Sequence, residues 1–260
     1  MTELETMIVE RDSGVVTITL NRPATKNAVT RRSWVELLAV LQEVAVSPDD
    51  RVVVLTGAEG NFSSGADLTD LVGGPKRPFV DLMREIADAL LRLHRLPKPT
   101  IAKVDGVAVG IGLSMALGCD LVVASDRARF SEIFPRRGLA VDGGSSWLLP
   151  RLVGIHKAKE LAMLGDIIPA SEAAAIGLVN KVVPLDELDK TTAEWAARLA
   201  AGPTLALSLT KSMINNSFGI SLDQALEDEA RSQHVTFGSK DVAEAMKAFA
   251  EKREPEFHGF

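Results

Sequence analysis

Apolar residues recur along the chain in two rhythms. Short β-branched runs at Val15–Leu20 (VVTITL), residues 51–56 (RVVVLT), Thr100–Val104 and residues 121–124 predict strands. Between them, Arg31–Val46 carries Trp34, Leu37, Leu38 and Leu41 on one helical face, and residues 79–96 carry Leu82, Ile86, Ala89, Leu90 and Leu93. Pro97 and Pro99 end the second helix, because proline has no N–H with which to continue it. Strands alternating with helices predict parallel pairing and an α/β fold. From about Asp186 onward the pattern is almost wholly helical. Pro203 opens a helix with Leu205, Leu209 and Met213 four apart, and Asn215, Asn216 and Gly219 close it. Ser221 is the expected N-cap of the next, with Gln224 at the capping-box position, and a third runs from Ser239 through Val242, Met246 and Phe249. Residues 1–200 are therefore expected to form a core and residues 201–260 a helical region, which either caps that core or serves as an oligomerisation surface.

Composition narrows the function. The 260 residues include 29 Lys and Arg against 35 Asp and Glu, a formal net charge of −6, which argues against broad nucleic-acid binding. The single cysteine, Cys119, excludes an internal disulfide and any cysteine-cluster metal site, and fits a reducing cytoplasm. The first ten residues carry three acidic side chains and no basic or apolar leader pattern. The longest apolar stretch, residues 104–117, is broken by glycines and falls short of the ~20 residues of a membrane span. Neither membrane nor nucleic acid is expected as a partner. The histidines (His94, His156, His234, His258) share no metal-ligand spacing, so no metal is expected either.

Two glycine-bearing loops remain as the candidate chemistry. Asn61-Phe62-Ser63-Ser64-Gly65-Ala66-Asp67-Leu68 follows the second predicted strand, and Asp105-Gly106-Val107-Ala108-Val109-Gly110-Ile111-Gly112-Leu113-Ser114 follows the third. Each is a strand leaving into a glycine turn that opens a helix, a place where backbone N–H groups face outward and favour negative charge. Two such turns meeting would make an oxyanion hole, whereas each alone is equally an ordinary tight turn. The second is not a dinucleotide fingerprint, since Ala116 stands near where the third glycine belongs.

Together with Asn21-Arg22-Pro23, Asn27-Ala28, GLAVDGGSSWLLPRLVG (138–154), SEAAAIGLVNKVVP (171–184) and FAEKREPEF (249–257), these loops resemble the crotonase (enoyl-CoA hydratase/isomerase) superfamily, in family order and over nearly the whole chain. The resemblance implies a crotonase-like spiral of ββα turns with a C-terminal helical region that assembles trimers or dimers of trimers. It implies an acyl-CoA thioester substrate, no separate cofactor, and a thioester oxygen held by the backbone N–H groups of Ser64 and Ile111. Lys26, Asn27 and Ala28 match a region that contacts the CoA phosphates or adenine, and Ala66, Asp67 and Leu68 match the adenine loop. Lys252 and Arg253 match a helix that reaches the phosphates of a neighbouring chain. A solvated surface role is the competing reading for each of these cations, and Asp67 serves equally well to fix its own loop. Arg136 and Arg137 could be ion-paired at a subunit interface.

The family's hydratases carry two glutamates, and the matching positions here are Ser114 and Phe134. Glu132 lies two residues before Phe134, but on an extended segment it would need a register shift to substitute. Asp142, in Ala140-Val141-Asp142-Gly143-Gly144, occupies a position where isomerase-type relatives carry a carboxylate; an N-cap on the following helix is the structural alternative. Hydration needs an activated water and a proton donor, whereas moving a double bond from the 3 to the 2 position needs one shuttling base. Asp142 among Ile111, Phe134 and Trp147, with Ser114 as a polar pocket residue, therefore favours isomerisation. Hydration, or acyl-CoA binding without turnover, are the alternatives. Residues 69–80, with Gly73-Gly74-Pro75, are the expected determinant of acyl specificity.

Overall fold

The computed structural model describes residues 4–73 and 78–259, so part of the expected specificity segment, Gly74 and Pro75 included, lies outside the described residues. The main sheet begins with an antiparallel hairpin, β1 (Met7–Asp12) against β2 (Val15–Leu20). It continues in parallel through β3 (Val52–Gly57), β4 (Thr100–Val104), β6 (Leu121–Ser125) and β9 (Lys181–Val183), in the order β1-β2-β3-β4-β6-β9. A second sheet joins β5 (Val107–Val109), β7 (Arg129–Ser131) and β8 (Ile168–Pro169). Parallel strands buried on both faces are continuous apolar runs, as in VVVL of β3.

Helices α1 (Arg31–Val46) and α3 (Phe79–His94) cover one face. Thr30 caps α1 through a reciprocal bond with Ser33, which fixes its first residue. Helix α8 (Leu185–Ala200) covers the other face, packing Leu188, Ala196 and Ala200 on Val52, Val54, Ile101 and Val123. Between the sheets lies α4 (Ile111–Gly118), apolar all round except for Ser114 and buried at every residue. Short helices α2 (Leu68–Gly73), α5 (Ser145–Val153), α6 (Ile155–Leu164) and α7 (Ala170–Ala175) fill the connections.

The C-terminal region is α9 (Thr204–Asn216), α10 (Leu222–Phe237) and α11 (Lys240–Glu251), and residue 200 is the last of α8. Ser221 caps α10 by accepting from the Gln224 N–H, but the Gln224 side chain turns to Asp228 instead of closing the box. Arg51 at the start of β3 holds this region to the sheet, donating to the carbonyls of Gly202 (2.6 Å) and Phe257 (2.9 Å) and to Thr204 Oγ1 (3.1 Å). Lys211 of α9 adds a 2.8 Å ion pair with Asp120. Among the described residues no helix is long and apolar enough to cross a membrane, and no group of three or more His, Cys, Asp or Glu side chains could hold a metal ion.

Candidate active site

The two glycine loops meet edge to edge. Phe62 N–H donates to the Asp105 carbonyl and Ser63 N–H to that of Val107 (both 2.8 Å), and Val109 N–H returns a bond to Ser63 (3.0 Å). Gly65 has φ +99°, and a Cβ there would lie 2.9 Å from the Val109 carbonyl oxygen, so only glycine lets the first loop settle on the start of α4. Asn27 holds the first loop from behind. Its buried amide donates to the carbonyls of Ala58 and Asn61 while its oxygen accepts from the Arg22 N–H.

These bonds correct one expected donor. Ser64 N–H is committed to the Lys26 carbonyl at 2.9 Å and its hydroxyl to that of Thr25, so Ser64 cannot serve an oxyanion. Two residues further on, Gly65 and Asp67 bond Val29 on either side of Ala66, and no acceptor among the described residues takes the Ala66 N–H. Ile111 is the first residue of α4, where the N–H has no partner within the helix. Among the described residues the unengaged pair is therefore Ala66 and Ile111. A loop motif identifies the turn, but which N–H stays open depends on bonds to residues more than thirty positions away.

The carboxylates come next. The N-cap of α5 is Gly144, in the left-handed region, and no side chain caps that helix. The Asp142 side chain is thus not spent on capping, although its carbonyl accepts from Ser145 N–H at 3.1 Å. Asp142 Oδ1 is buried without a hydrogen-bond partner, and burial pushes the carboxyl up to about 6. Phe134, also buried, places its ring beside Gly110 at the head of α4, near Ile111.

Ser114 departs from the expected pocket role. It is fully buried under the Asp142–Gly143 turn, with its hydroxyl 3.2 Å from the Asp142 carbonyl and 2.9 Å from Ser145 Oγ. Ser145 Oγ in turn lies 2.9 Å from Glu132 Oε1. Strand alternation had placed Glu132 on the wrong face, but the strand ends at Ser131, and Ile133 already has helical dihedrals before the 3-10 turn Phe134–Arg137. Glu132 is consequently buried at 1% exposure, and desolvation together with the Asp142 charge raises it to about 7. Nothing in the residue pattern around Glu132 or Ser145 signals this pairing.

Trp147 also departs from its expected neighbours. It lines a cavity of about 910 Å³ with Leu90, His94, Gly143, Gly144 and Leu209, and neither Ile111 nor Phe134 contributes to that lining. His94 meets its ring edge-on at 5.7 Å, and Arg151 stacks on it at 3.9 Å. Of the residues matched to CoA contacts, Asn27 and Ala28 are buried structural residues. Asp67 is paired to Arg22 at 2.8 Å and bonded by Thr69, which hold its carboxyl down to about 2, a loop-fixing role. Lys26 sits exposed at a left-handed turn, Leu68 is half-exposed at the start of α2, and Lys252 is the exposed left-handed C-cap of α11. Arg136 pairs with Asp166 within the chain.

Residues 10–259 match the family described as enoyl-CoA hydratase/isomerase. The chain belongs to that family. Its relatives include the 1,2-epoxyphenylacetyl-CoA isomerase of Escherichia coli (strain K12), 37% identical over 98% of this chain and 99% of that protein. The short-chain-enoyl-CoA hydratase of Clostridium acetobutylicum is 36% identical over 98% of each chain. The crystal structure of enoyl-CoA hydratase from Bacillus anthracis superimposes with a TM-score of 0.94 at 32% identity, covering 98% of this chain and 100% of that one. The crotonase fold is thereby shown. Relatives at nearly equal identity carry out isomerisation and hydration, so the reaction must be argued from this family member's own side chains.

Proposed function

We propose that this family member isomerises an enoyl-CoA thioester, moving a carbon–carbon double bond from the 3 to the 2 position with Asp142 as the single base. The observation that carries the reading is the Asp142 carboxylate itself, released from helix capping, with one oxygen buried and unpartnered. At about 6 its proton affinity leaves it ionised near neutral pH yet basic enough to accept a proton. Asp142 removes a proton from C2, the electrons move into a dienolate, and the same carboxyl returns the proton at C4. The thioester oxygen takes the charge between the N–H groups of Ala66 and Ile111, each such donor contributing about 3 kcal/mol to lowering the barrier. Ser114 and Phe134 supply no carboxylates where hydratase-type chemistry would use them, and this weighs against hydration.

Incubation with a 3-enoyl-CoA and, separately, with crotonyl-CoA and longer 2-enoyl-CoAs tests the reading, with products separated by mass and retention. An isomer of unchanged mass from the 3-enoyl-CoA, lost in Asp142→Asn, is expected. A product heavier by one water, or full turnover by the variant, overturns the reading. Saturable binding without any product would point to an acyl-CoA-binding protein instead.

A further inference from the structure

Three oxygen–oxygen contacts run in series from Glu132 to the Asp142 turn: Glu132 Oε1 to Ser145 Oγ at 2.9 Å, Ser145 Oγ to Ser114 Oγ at 2.9 Å, and Ser114 Oγ to the Asp142 carbonyl at 3.2 Å. Each contact needs one proton between its two oxygens. The two serines supply one each and a backbone carbonyl supplies none. The series is therefore one proton short if Glu132 is ionised and complete if Glu132 is a neutral acid. With the proton on Glu132, the acid donates to Ser145, Ser145 to Ser114, and Ser114 to the carbonyl that anchors the turn.

We propose that Glu132 is a positioning residue held as a neutral acid, whose proton orients the Ser145–Ser114 relay toward the Asp142 turn and limits this pocket to one negative charge. The inference rests on the reading of Asp142 as the base. Glu132 Oε2 is buried with no partner, a position that a neutral carboxyl tolerates far better than a carboxylate.

The charged groups around Glu132 do not offset a second negative charge. Helix α4 has no titratable side chain, and α5 offers only Arg151, which is stacked on Trp147. On its own segment Arg136 is paired with Asp166, and Arg137 is exposed. On α6, Lys157 is paired with Glu160 and Glu172, while His156 and Lys159 are exposed. The charge that reaches Glu132 is that of Asp142, and it opposes ionisation. Above the pH at which Glu132 ionises, Ser145 must donate to the new carboxylate. Ser114 then follows Ser145, the Asp142 carbonyl loses the Ser114 bond and keeps only that from the Ser145 N–H, and the dienolate forms beside a fixed negative charge.

The test is the pH dependence of kcat/KM for 3-enoyl-CoA isomerisation in wild type, Glu132→Gln, Ser145→Ala and Asp142→Asn. Wild type is expected to rise through the ionisation of Asp142 and to fall by about fivefold or more between about pH 7 and pH 9. Glu132→Gln, which cannot ionise, keeps the acid limb and changes by less than about twofold over the alkaline range. Ser145→Ala removes a hydroxyl that accepts from the neutral acid and donates to the carboxylate; the bond to the charged form is the stronger, so the alkaline limb moves to higher pH. An unchanged alkaline limb in Glu132→Gln, or no alkaline limb in wild type, overturns the proposal for Glu132 alone. Where Glu132→Gln does not fold, an alkaline limb in Ser145→Ala that stays put or moves down overturns it. Full activity in Asp142→Asn overturns the prior reading of the base, whatever Glu132 does.

Discussion

Replacing Glu132 by glutamine should stabilise the protein at alkaline pH, the opposite of what losing a buried hydrogen-bonding group ordinarily does. The carboxyl ionises near its ordinary 4.5 in the unfolded chain and at about 7 in the fold. A folded value above the unfolded one means that the native state binds the extra proton. The stability it contributes is complete below about pH 4.5 and is lost as the pH rises through about 7. About 2.5 pH units at ~1.4 kcal/mol each gives a loss of about 3 kcal/mol by pH 8. The residue is 1% exposed, so solvent screening does not reduce this figure much. Glutamine keeps the size and a hydrogen bond to Ser145 but never ionises, and so avoids the loss. The measurement is thermal or urea unfolding of both proteins at pH 5 and pH 8, compared as a difference of differences so that any pH-independent cost of the amide cancels. Part of the loss has already occurred at pH 5, so the variant should gain about 2.5 kcal/mol on wild type between the two pH values, or about 5–10 °C in Tm for a chain of this size. A stability difference that stays constant, or shrinks, as the pH rises would refute the neutral-acid assignment.

Arg51→Ala should lower stability by about 2–4 kcal/mol, since it removes three bonds from one half-buried guanidinium and strands two carbonyls. Faster amide exchange at the start of α9 and in the last residues would accompany it, and unchanged exchange there would count against the tether. Gly112→Ala should impair both folding and turnover, because its Cβ would lie 2.7 Å from the Ser63 carbonyl and the loops carrying Ala66 and Ile111 must part. A kcat/KM within about twofold of wild type would argue against that loop contact setting the donor geometry. Asp142→Asn removes the like charge facing Glu132, so Glu132 should ionise at lower pH in that variant. Infrared titration of the protonated carboxyl band reads this directly, and an unmoved titration would show that the two groups do not interact.

Long-period features of the fold were legible in the residue pattern, and short ones were not. Helix α1 and strands β2 and β4 occupy the predicted positions because a six-residue alternation, a helical face over about four turns, or a largely buried run rich in β-branched residues leaves few alternatives. Strands β5, β7 and β8 are two or three residues long and carry no period, so the second sheet was invisible until the chain placed Ser63 beside Ala108. The site divides along the same line. Asp142 and the two loops stand out as local patterns. The shift of the open donor from Ser64 to Ala66 depends on Lys26, and the burial of Glu132 depends on where β7 stops and where Ser145 on α5 comes to rest. Those are consequences of tertiary contact at a separation no local window spans.

One physical cause links the features of the site. The segments around α4 exclude water from one Asp142 oxygen, from Glu132 and from the head of the helix together. In that medium the N–H dipoles of Ala66 and Ile111 act more strongly on a developing oxyanion than they would in water. The same exclusion raises Asp142 toward the range of a useful base, and it makes a second carboxylate, ten residues back along the chain at Glu132, untenable. A pair of ionised acids would repel both each other and the dienolate. A pair in which one member stays protonated leaves a single negative charge, which passes from Asp142 to the thioester oxygen as the proton moves the other way. The net charge of the buried pocket is then the same before and after proton transfer, so the transition state demands no new solvation from a region that has little water to give.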